Sequence, residues 1–145
     1  MDEITETSKA LQVSLLRVLE TQQIMPVGSV HPVRVDVRIL ASTNREPRLA
    51  MQQGFLREDL YHRLNVFPIK VPTLTERRED IELLVAFFLA EHNLQNHTHI
   101  VMTAEALQYL QTLAYPGNVR QLKNLIHRAY ILAEEVIDIE HIENF

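Results

Sequence analysis

The sequence has 145 residues, 46% of them apolar and 23% charged, with 14 Lys and Arg against 19 Asp and Glu for a net charge of −5. That acidic balance excludes attachment to nucleic acid by bulk charge, which takes a basic domain, while leaving room for a local basic face. The absence of cysteine excludes disulfide frameworks, thiolate zinc sites and cysteine nucleophiles.

Ser8 is placed to cap a first helix whose inward face is Leu11, Leu15, Val18 and Leu19. Pro26 and Gly28 end that pattern in a loop. From Val33 the period changes to two: Val35, Val37 and Ile39 alternate with Arg34, Asp36 and Arg38 before an apolar finish at Leu40 and Ala41. This predicts a strand over 33–41 that enters a buried environment at its end and stops at the polar turn Ser42-Thr43-Asn44-Arg45. Residues 46–65 read as helix interrupted near Gly54. Residues 66–71 read as a short strand despite Pro68, which suggests an edge or end position, and residues 72–76 as a linker.

The second half is helical. Glu79 and Asp80 favour a helix start through the dipole, and Ile81, Leu84, Val85, Phe88 and Leu89 form its inner face. A polar loop is expected over 92–99. Thr103 caps a helix bearing Ala106, Leu107 and Leu110. After the turn Tyr115-Pro116-Gly117, Asn118 is expected to cap a last helix with Val119, Leu122, Leu125, Ile126 and Ala129 inward. The fold expected is therefore α/β over residues 1–72, followed by a small all-helical domain over residues 73–145. The longest apolar run, residues 83–90, is too short to span a bilayer, and the acidic start carries no signal-peptide pattern. The expectation is a soluble cytoplasmic protein with no membrane partner.

Five groups of residues could carry chemistry. Asp2 and Glu3 are an adjacent acid pair able to hold a hydrated Mg²⁺ and orient a water, although such pairs are usually just solvated. Ser42-Thr43-Asn44 lies where a strand leaves the core, the place where α/β sheets bind ligands, and is equally readable as a plain turn. Arg57 and Arg63 stand six apart around the apolar pair Leu60 and Leu64. On a continuous helix they do not share a stripe, though they could still converge if the helix ends between them. They can stabilise charge on a phosphoryl group, or simply pair with Glu58 and Asp59. The helix from Asn118 presents Arg120, Gln121, Lys123 and Asn124, which suits DNA bases, a phosphate or a solvated face. His92, His97 and His99 are read as surface-loop residues rather than metal ligands.

The three glycines, Gly28, Gly54 and Gly117, are none of them followed by lysine, so the glycine-lysine grip of a phosphate loop does not occur.

Taken in order, these pieces resemble the AAA+ ATPase module of the sigma-54-dependent transcriptional activators, the bacterial enhancer-binding proteins. The resemblance rests on Leu15-Leu16-Arg17-Val18-Leu19, Val35-Asp36-Val37-Arg38, Thr43-Asn44-Arg45, the stretch Arg57-Glu58-Asp59-Leu60-Tyr61-His62-Arg63-Leu64-Asn65, Glu76-Arg77-Arg78-Glu79-Asp80-Ile81, and Pro116-Gly117-Asn118-Val119-Arg120-Gln121-Leu122. It implies a partial parallel-sheet AAA+ core and a helical lid. It also implies roles. Asp2 and Glu3 match the acidic end of the Walker B motif, Asp2 helping to hold Mg²⁺ and Glu3 polarising the attacking water. Asn44 matches the sensor I residue that reports the γ-phosphate of ATP. Arg57 and Arg63 match arginine-finger candidates acting on a neighbour's ATP, and Arg120 matches sensor II in the lid. Residues 24–34 resemble the insertion that transmits nucleotide state.

The family's Walker A loop and its Gly-Ala-Phe-Thr-Gly-Ala loop, which engages the sigma factor, lie before Walker B and are missing here. The resemblance thus implies the C-terminal part of a module whose intact form binds ATP and Mg²⁺, assembles as a ring, acts on sigma-54 RNA polymerase holoenzyme and reaches DNA through another domain. The alternatives are a non-catalytic fragment that joins AAA+ rings, and a helix-turn-helix DNA-binding module.

Overall fold

The computed structural model describes residues 1–143. The chain divides into two compact units, the first running from Met1 to Ile69 and the second starting at Lys70. Each has its own apolar core.

The first unit begins with a 3-10 turn, Ile4–Glu6, and then helix α1, Lys9–Thr21. Ser8 caps α1 as expected, its hydroxyl accepting from the Leu11 amide at 3.2 Å. Two short strands, β1 (Gln23–Ile24) and β2 (Val33–Arg34), form an antiparallel hairpin. Helices α2 (Pro47–Gln52) and α3 (Glu58–Leu64) complete the unit. Between them Gly54 takes φ 76°, a left-handed turn that suits glycine. Ile4, Ala50, Leu56 and Leu60 are buried together, and Leu15, Leu16, Leu19, Tyr61 and Leu64 pack against them. Leu11, expected inward, is 47% exposed. The most buried side chain of α1 is Gln12.

The strand expected over 33–41 is corrected to a short one. Only Val33 and Arg34 pair as a strand, and Val35 adds one bond to the Gln22 carbonyl at 2.8 Å. Val37 and Leu40 are exposed. Alternation selects faces, but a strand also needs a neighbour's N–H and C=O groups, and the described residues supply none over 36–39. Pairing resumes at residues 40–42, which run alongside residues 1–4. The edge strand expected over 66–71 is likewise absent. Val66, Phe67, Ile69 and Val71 are all strongly exposed.

In the second unit the expected linker is a capped 3-10 turn, Leu74–Arg77, in which Thr73 and Glu76 close a reciprocal capping box. Then come α4 (Asp80–Asn96), β3 (Val101–Met102), α5 (Ala104–Thr112), α6 (Asn118–Leu132), β4 (Val136–Ile137) and α7 (Glu140–Glu143). β3 and β4 pair in parallel, Val101 opposite Val136, and add a small sheet to a unit expected to be all helix.

The inward faces of α4, α5 and α6 are the ones the 3.6-residue period selects. Ile81, Val85, Phe88, Leu89, Ala106, Leu110, Leu122, Leu125, Ile126 and Ala129 are all buried in one core. Each fully buried Leu or Ile contributes about 1.5–3 kcal/mol by leaving water. Arg78 closes the end of α5, its guanidinium donating to the carbonyls of Gln111 and Leu113. The Tyr115 hydroxyl donates to the Leu110 carbonyl at 2.6 Å, and burial pushes its pKa up to about 12.

Two more expectations change here. α4 does not stop before His92. It continues to Asn96, because His92 has a buried place against Tyr130, with ring centroids 4.9 Å apart. Beyond it the Asn93 side chain binds the Ile100 backbone at both N–H and C=O. Asn118 does not cap α6. Gly117 takes the N-cap position, and Asn118, at φ 50°, accepts from the Leu74 amide at 2.9 Å, tying the entry turn to α6.

Candidate functional site

The acidic pair lies where residues 1–4 run beside residues 40–42. Met1 N donates to the Leu40 carbonyl at 2.5 Å, and the Ser42 amide donates to the Met1 carbonyl at 2.9 Å. This is the parallel hydrogen-bond pattern, with Met1 opposite Ala41. Continued, it would pair Glu3 N–H with the Ser42 carbonyl and Asn44 N–H with the Glu3 carbonyl. Instead Glu3 turns left-handed, at φ 49°. Ile4 N–H then takes the Ser42 carbonyl at 2.9 Å, and the Glu3 carboxylate, not its carbonyl, accepts from Asn44 N–H at 3.1 Å. A non-glycine residue held left-handed stores strain, and such positions cluster at functional sites.

Around this kink the polar groups converge. Ser42 Oγ donates to Asp2 Oδ1 at 2.9 Å, which orients an exposed carboxylate. The hydroxyls of Thr5 and Thr43 bond to each other at 2.9 Å. Arg45 donates through Nε and Nη2 to Glu6 Oε1, at 2.9 and 2.7 Å, and its guanidinium stacks 4.3 Å from the centre of the Phe55 ring. Asp2, Glu3 and Asn44 are therefore brought together, in a turn stiffened from both sides.

Arg57 and Arg63 stand at opposite ends of α3, which does not break between them. The condition under which they could converge, a helix end between them, is not met. Arg57 precedes the first turn and forks onto Asp59, Nε to Oδ1 at 2.9 Å and Nη2 to Oδ2 at 2.6 Å. Each partner's charge suits the other: the Arg57 pKa is raised by its bond to Asp59, and the Asp59 pKa is lowered by its bond to Arg57. Arg63 makes a looser approach to Glu20, at 3.7 Å, and Glu58 faces His62 at 3.8 Å.

The start of α3 is set by Gln12, 1% exposed. Its Nε2 donates to the carbonyls of Thr7 and Phe55, at 3.2 and 2.8 Å, and its Oε1 accepts from Arg57 N–H at 3.0 Å. Sequence reasoning missed Gln12 and the Arg45 bridge. The sign that could have found Gln12 is a polar residue on the inward side of an apolar stripe.

Arg120 lies on the exposed side of α6, in the second unit. With Gly117, Gln121, Asn124, His127 and Arg128 it lines an open hollow of about 470 Å³. The opposite side of α6 buries Leu122, Leu125 and Ile126. Among the described residues no group of three His, Cys, Asp or Glu could hold a metal, and His92 lies buried in α4 rather than in a loop with His97 and His99.

Residues 1–70 match the sigma-54 interaction domain family, and residues 75–145 match the AAA+ ATPase lid domain family. The chain belongs to the sigma-54-dependent AAA+ family. It is 45% identical over 149 residues to the anaerobic nitric oxide reductase transcription regulator NorR of Escherichia coli strain K12 / DH10B, an alignment covering 97% of this chain and 30% of that one. The NorR of Klebsiella pneumoniae strain 342 is 46% identical over 151 residues, covering 99% of this chain and 29% of the relative. The crystal structure of NtrX from Brucella abortus in complex with ADP superposes with a TM-score of 0.86 at 38% identity, over 98% of this chain and 34% of that one. The NtrX structure in complex with ATP gives the same score and identity, over 97% and 34%. This sigma-54-family chain thus spans about 30% of the length of the NorR relatives it matches. No helix among its described residues is long and apolar enough to cross a membrane.

Proposed function

We propose that this chain is part of an ATP-hydrolysing, sigma-54-dependent transcriptional activator, contributing the water-activating, phosphate-sensing and lid portions of its motor. The observation that carries this reading is the junction of Asp2, Glu3 and Asn44 around the left-handed Glu3. The Asp2 carboxylate is exposed and oriented by Ser42, a hard oxygen donor of the kind that holds a hydrated Mg²⁺. Mg²⁺ bound there would neutralise charge on the phosphates of ATP. Glu3 holds the attacking water and accepts its proton. Asn44 senses the γ-phosphate, and because its amide is bonded to Glu3, sensing and water activation share one hydrogen bond.

Arg57 and Arg63 act on the nucleotide of a neighbouring subunit in a ring, and Arg120 meets the phosphates from the lid. The output is remodelling of sigma-54 RNA polymerase holoenzyme in the cytoplasm, with DNA contacted through a separate domain. The sequence has no Gly-Lys dipeptide. The purified chain alone is therefore expected to show no appreciable ATP turnover. That absence, together with the partly exposed Arg57 and Arg63, favours one second reading: a fragment that joins the rings of intact relatives and supplies arginines without hydrolysing.

The test is a chimera in which this chain replaces the matching segment of E. coli NorR. ATP hydrolysis and sigma-54-dependent transcription are expected. Both should fall by about 10²–10⁴ on Glu3→Gln, the usual worth of a general base. A folded chimera that binds ATP but hydrolyses it equally well with Glu3→Gln overturns the reading.

A further inference from the structure

Arg57 is assigned to a partner's nucleotide, yet its guanidinium is already engaged. Asp59 meets it with both carboxylate oxygens, in the fork-to-fork geometry that Arg also makes with phosphate. The carboxylate is itself held in place, since Asp59 Oδ1 also accepts from the Leu60 amide at 2.8 Å at the start of α3. The backbone beneath Arg57 is fixed as well, by Gln12. Arg57, Glu58, Asp59 and His62 together line one open hollow of about 490 Å³. One guanidinium there faces two carboxylates, Glu58 and Asp59, so these three groups together carry a net negative charge. A free phosphate entering the hollow meets repulsion and a competitor of the right shape.

We propose that Asp59 is a latch on Arg57. It masks the guanidinium while the chain is alone and yields it to a nucleoside triphosphate presented by a neighbouring subunit, whose several charges outcompete a single carboxylate. The exchange makes and breaks only hydrogen bonds, and it is favoured once the polyphosphate is positioned by its own subunit. The latch keeps an exposed arginine from taking stray anions and ties its release to correct assembly. This inference rests on the trans role proposed for Arg57.

The test uses the full 145-residue chain and inorganic phosphate as probe, followed through the Nε–H resonance of Arg57 at matched ionic strength. In the natural chain that resonance should stay in place across the phosphate range. In Asp59→Asn it should shift saturably, with phosphate affinity raised at least roughly threefold, the factor by which an exposed pair holds its partners. Asp59→Ser, which keeps an acceptor for the first turn of α3, should behave as Asp59→Asn. The double variant Arg57→Ala/Asp59→Asn should lose the binding. Equal phosphate affinity in the natural chain and in both Asp59 variants overturns the latch.

The NorR chimera separates the two ideas. If Arg57→Ala leaves its ATPase unchanged, the trans role falls, and with it the function assigned to the latch, even where the phosphate titration succeeds. If Arg57→Ala abolishes the ATPase while the titration shows no unmasking, the trans role stands and the latch alone falls.

Discussion

The Asn44 amide donates to Glu3 Oε2 over 3.1 Å, in the place where an unbroken ladder would put the Glu3 carbonyl. A side chain proposed to activate water therefore also holds the turn at Asn44. Glu3→Gln keeps an acceptor at that position and should leave amide exchange at Asn44 nearly unchanged. Glu3→Ala removes the acceptor and should speed that exchange roughly fivefold, for the loss of about 1 kcal/mol of hydrogen bonding. Equal protection in both variants would show that the carboxylate does not hold the turn.

Gln12 is the second predicted weak point. Gln12→Leu nearly conserves volume but leaves the Phe55 and Thr7 carbonyls and the Arg57 amide without this partner. These groups are partly buried, so losing their shared partner costs about 1 kcal/mol. Urea unfolding followed at the first unit should register that loss while the second unit's transition stays in place.

The second unit should be acid-sensitive through His92. Its ring is packed between His127 and Tyr130, and its Nε2 is buried without a hydrogen-bond partner. Burial first, then the neighbouring His127, lowers its pKa below the ordinary 6.5, with Lys123 adding to the effect and Glu91 opposing it. The folded state thus takes up a proton at lower pH than the unfolded state does. Stability is whole above pH 6.5 and declines as the pH falls from there toward the lowered folded value, with a slope of at most about 1.4 kcal/mol per pH unit. His92→Phe keeps the stacking surface and should flatten the decline. Thermal melts between pH 8 and pH 5, on the order of the window where histidine titrates, give the comparison.

Hydrogen exchange should divide the molecule. Amides at 36–39 have no ladder partner among the described residues and are expected to exchange quickly. Those of α6 around Leu122 and Ile126 should exchange slowest, since both side chains are fully buried. Strong protection at 36–39 together with fast exchange in α6 would contradict this picture.

The helical half was legible because its information is local. A 3.6-residue period picks out Ile81, Val85, Phe88, Leu122 and Ile126, and every one of them is buried. Likeness to a family singles out Asp2, Glu3 and Asn44, and residues 1–4 and 40–42 do meet, which nothing in the local pattern foretells. What stayed hidden depends on partners distant in sequence. The run over 35–41 reads as strand from its alternation, but no described neighbour pairs with 36–39. Gln12 reads as an interruption of an apolar stripe until the Phe55 carbonyl and the Arg57 amide are placed beside it. Asn118 reads as a cap until Leu74 arrives from 44 positions away. His92 reads as loop because the stacking face of Tyr130 comes from another helix.

The parallel pair β3–β4 makes a closed ring of everything between Val101 and Val136. The bonds that fasten it include those from the Val101 amide to the Glu135 carbonyl and from the Thr103 amide to the Ile137 carbonyl, at 3.1 and 2.9 Å. Because the strands point the same way, tension applied to the chain on either side of this ring loads the bonds of the ladder together, in shear. An antiparallel clasp would peel open one bond at a time. α5 and α6 should therefore be shielded from the pull until that clasp gives, and then be loaded together.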